Sequence, residues 1–318
     1  MKKIILPVCI FLCLFIAGCA ASRPDAGATP AASTPAGGTS TPAAIPDIDD
    51  SEVEIPNFCT ADCLNPDGLL TLTMIGIGDA DCFLLTMPDG QFMLIDTGRK
   101  ADFDSIASAL DARGVTTIDT LVLTHGHKDH VGSLKKLLDR YSVKRICTAK
   151  LDNITFSEKT LELIAQSGAT HREFVAGDAL EFGSVQIEVL APLRADPENE
   201  NNNSLVLRVT YLDTAFLLMG DAEHEVEQQL LGLGKDLRAD VLKVGHHGED
   251  DATGLPFLIA VSPRFAAVTG DDAEDAETLA PEVIGRLRQA DVEIFTGKDF
   301  PAVDFISDGS DVIAKATD

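Results

Sequence analysis

A chain of 318 residues with a formal net charge of −26 is long enough for one large domain or two ordinary ones, and its acidity opposes non-specific attachment to nucleic acid. At 45% hydrophobic residues it can bury a sizeable core. The charge bears on solubility and partners and carries no information about fold.

The chain begins with Lys2-Lys3, a positive start, and residues 4–16 form an apolar stretch too short to span a bilayer comfortably. Ile16-Ala17-Gly18-Cys19 resembles a bacterial lipobox, so residues 1–18 are expected to be a lipoprotein signal peptide and Cys19 the lipidated residue. Acyl chains on that cysteine would hold the protein on the outer surface of the bacterial cell membrane. Residues 19–68 follow as an Ala-, Pro- and Thr-rich segment that cannot bury a core and is expected to be an extended tether. Cys59 and Cys63 lie close enough in sequence for a small disulfide loop, which an exported location permits and spacing alone does not establish. Cys82 and Cys147 fall in apolar strand patterns and read as buried thiols.

Residues 69–318 read as one folded domain. Residues 70–77 are apolar and β-rich, and 82–87 and 91–95 follow as strands joined by the turn signal Pro88-Asp89-Gly90. Residues 105–113 read as a helix and 121–123 as a short buried strand; Leu134, Leu137 and Leu138 give a helical pattern after it. A strand over 143–148 and a helix over 157–166, capped by Ser157, complete this half. The second half repeats the alternation. Strands are predicted over 185–190, 205–211, 215–219 and 240–244, with a helix over 223–231 between the last two. A helix over 281–289 has Pro281 near its start, and strands over 292–295 and 302–306 close the set. Strand-rich halves with helices between them suggest sheet packed on sheet with helices outside. The closely spaced hairpins at 70–95 and 205–219 weaken the competing doubly wound sheet, because hairpins are antiparallel.

Three polar clusters stand at strand ends. The first, Thr124-His125-Gly126-His127-Lys128-Asp129-His130, holds three of the seven histidines of the chain. The second is Gly220-Asp221 and the third Gly245-His246-His247-Gly248, each after an apolar run. Imidazole nitrogens and carboxylate oxygens are donors to first-row divalent metals, with zinc the default expectation. Three strand ends with convergent donors argue for one shared site, glycines allowing close backbone approach.

These clusters, with Asp96 in Leu94-Ile95-Asp96-Thr97-Gly98, resemble the metallo-β-lactamase superfamily. Residues 74–81, 201–207 and 239–248 are more closely similar to the extracytoplasmic hydrolase domain of competence proteins of the ComEC type, over about 69–310. The resemblance implies an α+β fold, a four-layer αββα sandwich, with two divalent metal ions at one edge, Zn2+ expected and Mn2+ the alternative. It implies that His125 and His127 hold one metal and that Asp129, His130 and one of His246 and His247, with His247 favoured, hold the other. Asp221 would bridge, its two oxygens shared between the ions. Asp96 and Asn203 would support the ligands from behind, and Asp129, Asp221 and His246 are the candidate catalytic groups. Two close metals can share a hydroxide nucleophile and polarise the attacked oxygen.

Departures from the family pattern narrow the expectation. Asn201, Asn202 and Asn203 stand where a third histidine usually serves the first metal, which would leave that ion under-ligated. Neither His171, at a strand start, nor His224, at a helix start, fills the gap. Glu249 replaces a common serine after His-His-Gly, Ala280 replaces a histidine before Pro281, and Asp271, Asp272, Glu274, Asp275 and Glu277 make an acidic rim. The expected activity is hydrolysis of a phosphoester or phosphodiester in the cell envelope or outside it. The rim disfavours DNA as a partner and favours a small substrate, for instance one with a cationic group. An amide, lactone or thioester hydrolase and a degraded binding module are the alternatives.

Overall fold

Strands that are apolar on both faces must be covered on both sides, and this requirement sets the architecture. The computed structural model describes residues 68–151 and 156–317. The expected signal segment, Cys19, the tether apart from Gly68, and Cys59 and Cys63 lie outside the described residues. In Phe83–Thr86, Phe83 and Leu85 face one core and Leu84 another; in Phe92–Ile95, Met93 and Ile95 part from Leu94 in the same way. In Thr214–Leu218, Phe216 and Leu218 face the shared core and Leu217 the opposite side. Strand side chains alternate in direction, so each such run feeds two cores.

The shared core lies between two sheets. The larger has eight strands in the order Val312–Thr317, Ala302–Ser307, Leu70–Ile75, Phe83–Thr86, Phe92–Ile95, Thr120–Val122, Arg145–Ala149, Thr170–Phe174. The smaller has seven, in the order Glu293–Thr296, Phe265–Val268, Val241–Lys243, Thr214–Leu218, Val206–Tyr211, Val185–Ala191, Ala179–Phe182. Helices Phe103–Ala112, Leu134–Arg140 and Glu158–Gln166 cover the outside of the first through Ile106, Leu110, Leu134, Leu137 and Ile164. Helices His224–Gly232, Leu255–Val261 and Pro281–Gln289 cover the second through Val226, Leu230, Phe257, Val283 and Leu287. This is the four-layer αββα arrangement expected. Both predicted hairpins are antiparallel, with Leu72 opposite Leu85 and Val209 opposite Phe216.

Several elements escaped the sequence pattern for identifiable reasons. Phe265–Val268 is a fully buried strand whose central alanines carry helix propensity rather than strand propensity. Helix Leu255–Val261 is apolar enough to read as a strand, but Pro256 stands in its first turn, where a missing N–H costs nothing. Ser157 caps Glu158–Gln166 as expected, its Oγ accepting from the Thr160 N–H at 3.2 Å. His171 is exposed on Thr170–Phe174 and bonded to Thr148 Oγ1, and His224 opens its helix. Cys82 and Cys147 are buried free thiols. Among the described residues no helix is long and apolar enough to cross a membrane.

Candidate metal centre

Parallel strands end at the same edge of a sheet, and here the turns after them carry the donors. Phe92–Ile95 runs parallel to Thr120–Val122, so Asp96 and the His125–His130 turn leave the first sheet together. Thr214–Leu218, Val241–Lys243 and Phe265–Val268 are also parallel, and they deliver Asp221, His247 and Thr269 from the second. The turns are tight. Gly220 has φ +55, and a Cβ there would lie 3.0 Å from Ser204 Cβ. Asp96, His246 and His247 also have positive φ, +60, +39 and +50, a conformation costing about 1–3 kcal/mol for non-glycine residues and typical of functional sites.

One oxygen is the focus. Asp221 Oδ2 lies 2.9 Å from His130 Nε2, 3.4 Å from His247 Nε2 and 3.6 Å from His125 Nε2. Two donor groups meet there: Asp129, His130, His247 and Asp221, and His125, His127 and Asp221. Asp221 Oδ1 faces away, 3.4 Å from the ammonium of Lys243.

Each buried ring is oriented from behind. Asp96 Oδ2 is 2.8 Å from His130 Nδ1, and the same carboxylate accepts from Thr124 N and Oγ1 at 2.8 and 2.6 Å. His125 Nδ1 is near Thr124 Oγ1 and Ser204 Oγ, at 3.2 and 3.3 Å. His247 Nδ1 meets Thr269 Oγ1 at 3.1 Å, and Thr269 donates to Asp81 Oδ1 at 2.5 Å. Such partners fix ring orientation and basicity in metal sites.

The buried charges explain the protonation pattern. Burial, helped by the charge of the neighbouring His130, lowers His125 well below the usual imidazole range, leaving it neutral. Burial acts in the same direction on His130 and His247, but Asp221, with Asp96 for His130 and Asp129 for His247, outweighs it; His130 rises well above its ordinary value and His247 to about 10. Asp129 is held below the usual carboxylate range because its histidine neighbours overcome its own burial. Lys243, 1% exposed, is kept charged against burial by Asp81 and Asp221, with Nζ 2.6 Å from Asp81 Oδ2 and donating to Gly220 O at 2.7 Å.

Of the two histidines between which the sequence left the ligand open, the favoured His247 is the one that faces Asp221, and His246 stands apart. It lies outside both donor groups around Asp221 and in a separate one with Glu223 and Asp251. Its Nδ1 is 3.0 Å from Asp251 Oδ1 and its Nε2 3.0 Å from Asn201 Nδ2. The left-handed turn through both histidines sends their rings to different neighbours, so the inner position goes to His247. The Asn203 amide is spent within its own loop, accepting from Asp196 N and donating to Asp196 O, both at 2.8 Å. The sequence pattern assigned no role to Lys243 or Asp81, although both lie within the runs 239–248 and 74–81, nor to Thr269, which has no distinctive spacing.

The residues fit divalent metal. His125 Nε2 and His247 Nε2 are buried without a hydrogen-bond partner, yet both face Asp221 Oδ2. Buried polar atoms are rarely left unpaired without a functional reason, and imidazole nitrogens converging on carboxylates are a metal donor set.

The family described as Metallo-beta-lactamase superfamily matches residues 75–268. ComE operon protein 3 of Bacillus subtilis is 33% identical over 225 residues, 65% of this chain and 29% of that protein. Competence protein ComA of Neisseria gonorrhoeae is 29% identical over 213 residues, 66% of this chain and 28% of that protein. The resemblance to ComEC-type competence proteins is thus borne out, although the chain spans less than a third of the length of these relatives. The metallo-beta-lactamase fold protein YhfI from Bacillus subtilis superposes with a TM-score of 0.50 at 15% identity, over 72% of this chain and 96% of that one. CmlA, a diiron beta-hydroxylase from Streptomyces venezuelae, gives 0.51 at 14% identity, over 71% and 52%. Likeness at such identities speaks to fold alone, and chemistry has to be argued from the site.

Proposed function

We propose that this chain, which belongs to the metallo-beta-lactamase superfamily, is a metal-dependent hydrolase of phosphoesters or phosphodiesters, acting on the outer side of the membrane. The observation that carries the reading is the convergence of His125, His130 and His247 on Asp221 Oδ2, with two of the three Nε2 atoms buried and unpartnered. His125, His127 and Asp221 would hold one divalent ion and Asp129, His130, His247 and Asp221 the other. Zn2+ is the expected metal and Mn2+ the alternative. Bound there, two such ions supply activated water and polarise the group under attack.

The protein's own groups do the positioning. Asp96 and Thr124 fix His130, Thr269 fixes His247, and Lys243 balances the charge on the far oxygen of Asp221. Asp129 is the partly exposed carboxylate of the centre, placed to orient an incoming water. His246, its ring centroid 6.2 Å from that of His247 and its Nδ1 on Asp251, is the candidate to pass a proton to the leaving group. A thiol nucleophile is disfavoured at Cys82 and Cys147, since burial pushes Cys147 up to about 12 and Cys82 well above its ordinary value.

A small substrate is favoured over DNA. Residues 272–277 are exposed and include Asp272, Glu274, Asp275 and Glu277, and a polyanion approaching them would be repelled. A compact phosphoester carrying a cationic group suits such a rim. Placement outside the cytoplasm on a lipid anchor rests on Lys2-Lys3, the apolar run and Cys19.

Asp129→Ala and Asp221→Ala should each lower turnover of phosphodiester reporters by about 10²–10³-fold or more, the scale of removing a major electrostatic element of a site, with metal content falling in parallel. Unchanged turnover in either variant would sink the reading. Retention of the intact chain on DNA should be weak and nearly independent of salt; strong retention that salt abolishes would instead favour a nuclease.

A further inference from the structure

We infer that Glu200 is a protein ligand of the first metal position, taking the place of the absent third histidine. The inference rests on the dinuclear reading above and adds a residue to it. His125 and His127 offer two imidazoles and Asp221 one oxygen, so three donors are in place and a fourth is wanting for a four-coordinate ion. Glu200 stands just outside that trio, on the side of His127, with Oε2 3.5 Å from His127 Nε2.

Three observations separate this carboxylate from a chance surface acid. First, its other oxygen lies only 2.3 Å from where a Cβ on residue 126 would stand. The glycine between the two metal-binding histidines therefore leaves room that Glu200 occupies, and any side chain there would push it out. Second, the loop carrying it is locked. Asn203 ties back to Asp196 and Asn199, Asn202 Nδ2 donates to Asp196 Oδ2 at 3.0 Å, and Asn201 N donates to Asn199 Oδ1 at 3.0 Å. The asparagines found where the family places a histidine thus hold the turn that presents Glu200. Third, His125 Nε2 is buried with no hydrogen-bond partner, so a cation at this position would satisfy a nitrogen that nothing else in the protein pairs. As a mere ion pair between two side chains about 40% exposed, Glu200 and His127 would add at most about 1 kcal/mol of stability.

With Glu200 the first position has two imidazoles and two carboxylate oxygens, a set suited to Zn2+ or Mn2+ and harder than a three-imidazole site. The test uses the full chain, loaded with Zn2+ or Mn2+, with bound metal counted after desalting and affinities measured by calorimetry. Glu200→Gln should fall from about two ions per chain to about one, weakening the first position by roughly a hundredfold, at the upper end of what loss of a supporting partner costs. His127→Ala should lose the same ion, and the double variant should be no worse than either single one. Glu200→His should restore two ions and shift preference towards Zn2+. Two ions held by Glu200→Gln at unchanged affinity would overturn the assignment, as would loss of both ions from a folded Glu200→Gln chain. A wild-type chain binding one ion, insensitive to His127→Ala, would overturn it too. A wild-type chain binding none would overturn the hydrolase reading and this inference with it.

Discussion

The two halves of the centre share one oxygen and differ in almost everything behind it. On one side His130 and His247 are buried, each ring pinned at its far nitrogen, and the shared Asp221 is backed by the buried Lys243. On the other side His125 is buried, but the side chains of His127 and Glu200 are 42% and 40% exposed. Once Glu200 is counted, both halves have two imidazoles, a carboxylate of their own and a share of Asp221. Donor number therefore does not distinguish them. What differs is how much of the protein's stability and electrostatics is committed to each, and three measurements probe that difference.

The largest effect should come from Lys243→Met, which keeps the length of the side chain and removes its charge. Asp81 and Asp221 would then be left as buried carboxylates without their cation. Breaking a buried pair in this way costs about 3–5 kcal/mol, to be read by urea unfolding of the folded domain. His127→Ala, on the exposed half, should stay within about 0.5 kcal/mol of wild type in the same assay. Equal losses would end the claim that only one half is structurally committed.

A slightly smaller effect tests whether histidines, and not some general property of buried carboxyls, keep Asp129 ionised. Glu227 serves as the contrast. It is 3% exposed and accepts from the N–H groups of Thr253 and Gly254, yet burial raises it to about 7. Because its folded value lies above the unfolded one, the native state binds the extra proton between about 4.5 and 7, so this group's stability contribution is full below that window and is lost as pH rises through it. The shift corresponds to roughly 3 kcal/mol. Glu227→Gln cannot titrate, so the stability of wild type minus that of the variant should fall by about that amount between pH 5 and pH 8. Parallel stability curves would show that Glu227 is ionised at little cost and would remove it as a contrast to Asp129.

The same contrast marks what could be read from the sequence. The sandwich was legible because its strands are apolar runs, and the donors were legible because they follow three of those runs directly. Pinning from behind was less so. Asp96 and His130 are 34 positions apart, and only the family resemblance paired them. Lys243 was unreadable, because a lysine inside Val241-Leu242-Lys243-Val244 looks like an interruption until Asp81 and Asp221 are seen on either side of it. The division of labour between His246 and His247 depends on two successive positive-φ residues, a backbone choice with no compositional signal beyond the flanking glycines. Glu200 carries no signal of its own, because the family pattern at that position is an imidazole and here a carboxylate stands one residue before the three asparagines.

The smallest effect, and the most direct comparison, is the order in which the two ions leave. A chelator removes a metal by replacing protein donors one at a time, which requires donors that can swing out into water. His127 and Glu200 can do so; His130 cannot, with 0% exposure and both ring nitrogens engaged. At pH 8 a dilute chelator should therefore take the ion at the first position at least about tenfold faster, a difference of about 1.4 kcal/mol in barrier. The pH has to be fixed, because protons compete mainly at the other half. The raised values of His130 and His247 mean that both rings carry protons when no metal is bound, so loading there releases protons and tightens as pH rises. The intermediate holding one ion should accumulate, and Asp129→Ala should abolish it while His127→Ala should leave it as the starting state. Simultaneous departure of both ions, or an intermediate that survives Asp129→Ala, would mean that exposure does not govern which half lets go.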